Sequence, residues 1–263
     1  RDILAIRQNL VGKVQEYERA SIFAKYKEKV GEIVICEVYQ AWKKEVLLLD
    51  EDGVEVVLPK SEQIPGDFFR KGDTVKAVVF KVEMKNGIPN IILSRVSQIF
   101  LEKLFEQEVP EIYDGLITIR NTVRQPGERA KVAVESYDDR IDPVGSCVGV
   151  KGSRIHSIIR ELRNENIDVI NYTPNIELYI TRALSPAKVI SVSVDEQRKK
   201  ADVFMQSDQV SLAIGKGGYN IKLAGKLTGY EIEVYRDTDM DYEDVDLDEF
   251  NDEIDTWIID TLK

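Results

Sequence analysis

Two short glycine-containing segments have the residue types and spacing needed to hold a phosphate group. Gly149-Val150-Lys151-Gly152 and Gly215-Lys216-Gly217-Gly218 both follow the pattern G-x-x-G, and each contains a lysine. Each segment precedes a stretch with helical periodicity, so backbone amides at the start of that helix are free to face an anion. A side chain at a glycine position would keep a phosphodiester away from the backbone. The pattern therefore predicts contact with a phosphate backbone.

Cations and apolar residues surround both segments. Lys151 and Arg154 add positive charge beside the first, and Lys216 and Lys222 add it beside the second. Helical spacing places apolar pairs near the loops, where they are expected to form a floor for bases: Ile155 with Ile158, and Ile221 with Leu223. This combination describes the KH fold, whose G-x-x-G loop clamps about four nucleotides of single-stranded RNA or DNA. Plain helix–helix turns are the alternative interpretation.

The two segments lie in the same predicted order of elements: strand, strand, short helix, glycine loop, longer helix, strand. Gly149 and Gly215 are 66 positions apart, whereas Ala130 and Ala201 in the preceding strands are 71 positions apart. The difference of five residues falls near 138–142 of the first copy, where Asp142 before Pro143 predicts a capped helix start. Unequal offsets indicate a diverged duplication rather than a solenoid with a fixed period.

Upstream of the duplication, the periodicity is that of short strands. The turn sequences 50–53 and 85–87 separate segments rich in Val, Ile and Leu. A small closed barrel of the OB-fold type is predicted, because closure removes the exposed edges of a small open sheet. A barrel with a purely structural role is the alternative. The predicted strands are Gly31–Tyr39, Glu45–Asp50, Val54–Pro59, Thr74–Glu83 and Asn90–Ser94.

Aromatic and basic residues meet at the first strand connection of this barrel. Tyr39, Trp42 and Lys43 occupy the region where OB-folds stack bases on aromatic rings beside cations. They are therefore candidates for RNA binding, with packing in the barrel core as the alternative for the two aromatic residues. Phe68 and Phe69 are predicted to anchor their loop.

The formal charge is unevenly distributed. The chain of 263 residues has 36 basic and 47 acidic residues, a net charge of −11, but 11 acidic residues and one Lys fall within 238–263. Residues 1–237 therefore carry 35 basic and 36 acidic residues, so the overall acidity does not exclude nucleic acid as a partner. Apolar residues between Leu247 and Leu262 have the spacing of an amphipathic helix. We expect an acidic linker followed by the start of a helix, and hypothesise that it competes with RNA for the loops.

Several classes of function find no support in the residues. A P-loop lacks its Gly-Lys-Ser/Thr, and a dinucleotide fingerprint starting at Gly215 meets Asn220 where it needs glycine. The only histidine, His156, is predicted to face solvent or RNA rather than act as a base. Cys36 and Cys147 are 111 positions apart, which suits a reduced cytosolic chain. We therefore predict a non-enzymatic protein with no catalytic residue, cofactor, metal or membrane contact.

At the N-terminus, spaced apolar residues predict a helix within residues 1–30 that Gly31 ends. The apolar stripe consists of Ile3, Ile6, Leu10, Val14 and Tyr17.

Longer strings of the sequence resemble the NusA family of transcription termination/antitermination proteins. Residues 31–95 followed by Phe105–Ile112 resemble its barrel and the start of the next domain. Residues 142–154 are similar to its first KH motif, 184–189 to the junction between its KH modules, and 211–221 to its second KH motif. The similarity covers about 31–237, and the motifs occur in the family's order.

The resemblance implies a multidomain α+β protein. Residues 1–30 correspond to the last helix of the family's N-terminal polymerase-binding domain, 31–96 to an S-one-type OB-fold, 97–183 and 184–237 to tandem type II KH domains, and 238–263 to the acidic segment. The RNA-contacting residues that it implies are Gly149–Gly152, Ser153 and Arg154, then Gly215–Gly218 and Asn220.

The resemblance also implies a function. It indicates a bacterial cytoplasmic factor that travels with RNA polymerase, binds nascent single-stranded RNA and modulates pausing, termination and antitermination, with other elongation factors as further partners. With only the last helix of the polymerase-binding domain, weaker polymerase contact is expected. Glu45 stands where a second aromatic residue is expected after Trp42, which weakens the prediction of base stacking there.

Two other functions remain open. Phosphorolytic exoribonucleases also combine KH and S-one modules, although in the reverse order, so an RNA-processing protein is one alternative. A protein-interaction scaffold whose KH modules bind no RNA is the other.

Overall fold

The computed structural model describes residues 2–237, with side chains from Ile6 onward. The predicted acidic linker and helix of 238–263 lie outside the described residues, as does the side chain of Ile3. The predicted N-terminal helix is confirmed as α1 (Asp2–Glu28). Its predicted apolar stripe is exposed at Ile6, Leu10, Val14 and Tyr17. Among residues 2–237, neither α1 nor any other helix is long and apolar enough to cross a membrane.

Only the last turns of α1 pack against the next domain. Ile22 and Phe23 contact the barrel core, and Tyr26 is completely buried in it. The Tyr26 hydroxyl donates a hydrogen bond to the Asp50 carboxylate, which also accepts the backbone N–H of Val54 in the same turn. Burial and the neighbouring Asp50 raise the pKa of Tyr26 above its ordinary value. The tyrosine therefore fixes the helix to the turn while remaining protonated.

The predicted five-stranded barrel is confirmed. It consists of β1 (Ile33–Ala41), β2 (Glu45–Leu49), β3 (Glu55–Pro59), β4 (Thr74–Lys85) and β5 (Ile88–Ser94). The strands close in the order β1-β2-β3-β5-β4, with β3 and β5 parallel and the other pairs antiparallel. Val46 and Leu48 alternate with outward residues and point into the core, as the two-residue period of a strand requires. That this barrel is of the S-one type stays a prediction.

The first KH module follows directly. It consists of α2 (Gln98–Glu108), α3 (Pro110–Tyr113), β6 (Ile117–Gln125), β7 (Arg129–Ser136), α4 (Pro143–Val148), α5 (Ser153–Glu161) and β8 (Asn166–Asn171). Its sheet has the order β6-β7-β8, with β7 and β8 parallel. The predicted cap of α4 is confirmed, because the Asp142 side chain accepts the backbone N–H of Val144.

The second KH module repeats this arrangement. It consists of α6 (Ile176–Ala183), β9 (Ser191–Asp195), β10 (Lys200–Met205), α7 (Ser207–Ile214), α8 (Tyr219–Thr228) and β11 (Glu231–Arg236). The sheet order is β11-β10-β9, with β10 and β11 parallel. Six residues, 137–142, connect β7 to α4, whereas Gln206 alone connects β10 to α7. This difference of five confirms the insertion predicted in the first copy.

The two modules share a packing surface. Val123, Ala133 and Ile170 belong to the first sheet but lie in the same buried cluster as the core of the second module. Helix α8 packs on β6 and β7, and the Asn121 side chain donates a hydrogen bond of 2.9 Å to the Leu227 carbonyl at its end. The second module is therefore docked on the open face of the first sheet.

A buried ionic cluster joins the barrel to the first KH module. Arg124 and Glu165 are fully buried and form two hydrogen bonds of 2.7 and 2.8 Å. Arg124 also donates to the Arg95 carbonyl at 2.7 Å, and Arg95 forms an ion pair with buried Asp67 at 2.9 Å. Such a cluster fixes the angle between the domains, because each charge would otherwise lie in the interior without a partner.

Candidate nucleic-acid interface

Three of the four residues in the first G-x-x-G loop have a positive φ angle. Gly149 has φ 74° and ψ 172°, which is a region that essentially only glycine occupies. Lys151 follows with φ 52°, and Gly152 with φ 77° and ψ 15°. The loop thus ends α4, makes one tight turn and starts α5.

The second loop has the same conformation. Gly215 has φ 70° and ψ 174°, Gly217 has φ 61°, and Gly218 has φ 71° and ψ 13°. The lysines differ in position, since Lys151 is the third residue of its loop and Lys216 is the second of its own. Equal geometry at positions 66 apart confirms that the loops are copies of one motif.

A side chain from the following helix packs on the first glycine of each loop. A Cβ atom on Gly149 would lie 2.8 Å from Cγ of Arg154, and one on Gly215 would lie 2.7 Å from Cβ of Asn220. Arg154 donates to the Ser146 carbonyl at 2.6 Å, and Asn220 donates to the equivalent Leu212 carbonyl at 3.1 Å. Both side chains therefore tie the helix after the loop to the helix before it.

Replacing the first glycine by alanine is expected to distort each loop. Gly149→Ala and Gly215→Ala combine a steric clash with a glycine-only conformation, which costs of order 1–3 kcal/mol per residue. Thermal melting of each variant should show a lower midpoint than the wild type. Gly53→Ala is the matched control, because its φ is also positive, at 76°, while no atom lies within 4 Å of its added Cβ. If Gly53→Ala and Gly149→Ala lower the melting midpoint equally, the clash with Arg154 does not contribute to the loss of stability.

The structure corrects the role predicted for Asn220. The residue is completely buried, and its amide donates to the carbonyls of Leu184 and Leu212. It positions the second loop and cannot touch RNA. Its counterpart Arg154 is partly buried and also forms an ion pair of 2.9 Å with Glu111, so its charge is largely engaged within the protein.

The predicted apolar floor for bases is also wrong. Ile155, Ile158 and Leu223 are buried in the module cores, and Ile221 packs partly buried against the second core. Helical spacing correctly identified the apolar face of each helix, but that face packs into the module core and does not contact a ligand.

The predicted contact residue Gly152 is also buried, whereas the other residues of the two loops are exposed or half-buried. Val150 is 82% exposed, Lys151 and Ser153 are exposed, and the Lys216 side chain is 87% exposed. Within residues 2–237, the backbone N–H groups of Gly152 and Gly218 bond to carbonyls of their own loops, whereas those at the loop tips have no such partner. The tips are formed by Val150 and Lys151, and by Lys216 and Gly217. Each tip therefore presents free amides beside a cation, as an anion requires.

His156, which the sequence predicts to face solvent or RNA, lies beside the first loop and is a further binding candidate. His156 is exposed, and a Cβ on Gly152 would lie 2.7 Å from its imidazole ring. The equivalent residue of the second module is the predicted candidate Lys222. Its Cε atom would lie 3.7 Å from a Cβ atom added to Gly218. Aligning the two copies would have paired them. The ring belongs to the loop surface and offers a stacking face.

The second loop lies against the first module. Nζ of Lys216 is 3.1 Å from the Glu128 carboxylate in the turn between β6 and β7. Tyr219 lines a cavity of about 270 Å³ together with Arg129 and Asn164 of the first module. The surface from the second loop to the end of α5 is therefore continuous across the two modules.

On the barrel, the predicted aromatic residues are not core residues. Tyr39 is 48% exposed and Trp42 is 47% exposed, and Lys43 beside them is exposed. Nζ of Lys71 lies 5.3 Å from the Tyr39 ring centre, a cation–π distance. The prediction that Phe68 anchors its loop is wrong, because this ring is 69% exposed, whereas Phe69 does pack against the barrel core.

Neither cysteine is suited to nucleophilic chemistry. Burial raises the pKa of the Cys36 thiol to about 12, and burial likewise raises the pKa of the Cys147 thiol to about 12. Both side chains are buried and unpaired, so each remains a neutral core group at neutral pH.

Comparison with known proteins adds family information to this geometry. Residues 95–172 match the family model of the NusA-like first KH domain, and residues 176–241 match that of the NusA-like second KH domain. The transcription termination/antitermination protein NusA of Halalkalibacterium halodurans is 40% identical over 228 residues, which cover 87% of this chain and 59% of that protein.

Two further NusA proteins give the same result. That of Thermus thermophilus is 40% identical over 227 residues, 86% of this chain and 59% of its own length. That of Bacillus subtilis is 38% identical over 233 residues, 89% of this chain and 62% of its own length. The chain thus spans about three fifths of the length of these curated relatives.

Proposed function

Because this chain belongs to the NusA family of transcription termination/antitermination proteins, we propose that it binds nascent single-stranded RNA during transcription and thereby modulates pausing, termination and antitermination. RNA polymerase and other elongation factors are its proposed protein partners, in the bacterial cytoplasm. The proposed domains are 31–96, 97–183 and 184–237, with 1–30 and 238–263 as flanking segments.

The duplicated loop geometry carries this proposal. Two tips with matching dihedral angles each present free backbone amides and a lysine to solvent, at Lys151 and Lys216. A phosphodiester can approach both tips, since all four tip residues are exposed: Val150, Lys151, Lys216 and Gly217. Amides and cations would hold the phosphates, while unpaired bases lie against the surface beside each loop.

The proposed contact residues follow from exposure. In the first module they are the exposed residues Val150, Lys151, Ser153 and His156, together with the half-buried Gly149. In the second they are Gly215, Lys216, Gly217, Gly218 and Lys222. Tyr39, Trp42 and Lys43 of the barrel form a proposed secondary contact, supported by their exposure. Arg154 and Asn220 are positioning residues for the loops.

A non-catalytic role is part of the proposal. An RNA-processing enzyme with KH and S-one modules is the alternative, and a degradation assay separates the two. Labelled single-stranded RNA is incubated with the chain, phosphate and Mg²⁺. We expect intact RNA, and chain-dependent shortening would favour the enzyme.

RNA affinity is expected to fall as salt concentration rises. Each phosphate contact by a lysine releases a counterion, which contributes roughly 0.7 to the log–log slope of affinity against salt for a single strand. Lys216→Ala should reduce the slope by about that amount. Fluorescence anisotropy at four or more salt concentrations measures both slopes.

Lys81→Ala is the matched control, because this lysine pairs with Glu83 at 2.6 Å on the barrel, outside the proposed loops. If Lys81→Ala lowers the slope of log affinity against log salt concentration as much as Lys216→Ala does, Lys216 makes no specific contact with RNA at the second loop.

A further inference from the structure

A second concave site lies at the seam between the two KH modules, away from the glycine loops. It is a cavity of about 470 Å³ between β6, the segment after β8, α6 and the last turn of α8. Tyr219 and Thr228 are the first and last residues of α8, so at 1.5 Å per residue the cavity lies about 14 Å along this helix from the second loop. The cavity and the loop are therefore separate sites.

Aromatic rings form one wall of this cavity. Tyr172 and Tyr179 meet edge to face, with ring centres 5.3 Å apart and planes at 74°. The Arg120 guanidinium lies over the Tyr172 ring, 5.1 Å from its centre. Arg120 stands at a bulge in β6, where the pairing with β7 skips between Ile119 and Asn121. A bulge next to a site commonly redirects one side chain, and here it is the arginine that covers the ring.

A polar group in this wall lacks a partner. Tyr179 is 6% exposed, and its hydroxyl has no hydrogen-bond partner among residues 2–237. Burial raises the pKa of this phenol to about 12, so the hydroxyl keeps its proton and can donate it in a hydrogen bond. An unpaired buried hydroxyl is destabilising, and a bound group that accepts its hydrogen bond would remove that cost.

The other polar groups favour a neutral ligand. Nε of Arg120 is 2.6 Å from the Glu135 carboxylate, so an anion would have to compete with an existing ion pair. A cation would meet the guanidinium itself. The Asn121 amide group donates to the Leu227 carbonyl, which leaves its oxygen to accept a hydrogen bond. A donor, an acceptor and a stacking face together match the edge and face of a nucleobase.

We propose that this cavity binds a single nucleobase, stacked against Tyr172 and Arg120 and hydrogen-bonded by the Tyr179 hydroxyl. The Arg120 side chain is 41% exposed and can move aside to admit it. The base comes either from a free nucleoside or nucleotide or from a nucleotide turned out of bound RNA. The second source rests on the proposed function, whereas the first does not.

The test is a titration of the isotope-labelled chain, followed by backbone amide chemical shifts. Adenosine, cytidine, guanosine and uridine are added separately at millimolar concentration, and a short single-stranded RNA forms a second series. We expect at least one series to shift the amides of Arg120, Asn121 and Thr228. Shifts with free nucleosides identify a small-molecule source, and shifts with RNA alone identify an RNA base. No shift there in any series overturns the proposal.

Tyr179→Phe removes the hydroxyl and keeps the ring, so the fold is retained. It should weaken binding roughly five- to tenfold, the usual effect of one hydrogen bond. Tyr137→Phe is the matched control, because this ring is 73% exposed and lies in the connection after β7. Unchanged affinity of Tyr179→Phe contradicts the proposal. The loop variants separate this proposal from RNA binding at the loops. If they no longer bind RNA but free nucleosides still shift the amides at the cavity, the two sites are independent.

Discussion

Replacing Glu165 by glutamine is expected to lower the free energy of unfolding by about 3–5 kcal/mol, the usual cost of removing one partner from a buried ion pair. Glu165 accepts hydrogen bonds from two nitrogens of Arg124 and from the backbone N–H of Gly127. Both charged side chains are fully buried. The variant would leave the guanidinium charged in the interior without its counterion. Chemical denaturation followed by circular dichroism measures the change.

Two further variants make this result specific. Arg140→Gln also removes one partner of an ion pair, but the Arg140 side chain is 89% exposed, so its stability should equal that of the wild type. Arg124→Met combined with Glu165→Leu should recover much of the loss, because no unpaired charge remains. A Glu165→Gln chain as stable as Arg140→Gln would contradict a stabilising role for the buried Arg124–Glu165 pair.

Two aspartates at the tip of either loop are expected to weaken RNA binding at least tenfold, and the same change in both loops should abolish it. The variants are Val150→Asp with Lys151→Asp, and Lys216→Asp with Gly217→Asp. Each replaces a lysine beside free amides by carboxylates that repel the phosphates held there. Fluorescence anisotropy with one labelled single-stranded RNA measures all of them.

A control with equal charge separates contact from overall repulsion. Val11→Asp with Lys13→Asp makes the same change in net charge on α1, where Val11 is 48% exposed and the Lys13 side chain is 83% exposed. Its affinity should remain close to that of the wild type. Because Gly217 has φ 61°, aspartate strains the second loop, so thermal melting must confirm that this variant is folded. An equal loss in the α1 control would contradict contact at the loops.

Local patterns in the sequence predicted most of the fold. Strand periodicity located the five barrel strands, and the Asp142-Pro143 pair located the start of α4. Two helices were missed for different reasons. Helix α3 has four residues and shows no period. Helix α6 had a usable pattern, since Asn175 caps it and Ile176, Tyr179, Ile180 and Ala183 lie on one face.

The site was predictable only in part, because the spacing of residues in the sequence does not show how deeply a side chain near a loop is buried. The glycine loops were located correctly, but Asn220 beside them is buried where an exposed contact was expected. An alignment of the two copies pairs Asn220 with Arg154. Both side chains donate a hydrogen bond to a carbonyl of the helix before the loop, which is a structural role rather than an RNA contact. The partners Arg124 and Glu165 are 41 positions apart, and no local pattern connects them.

One titration tests the central claim that both glycine loops hold a single strand of RNA. A labelled single-stranded RNA is titrated with the wild-type chain and with the chain that carries aspartates at both loop tips. We expect saturable binding by the wild type, weakened by salt, and no detectable binding by the variant although it melts cooperatively. Equal affinity of the two chains would show that the glycine loops do not hold the RNA.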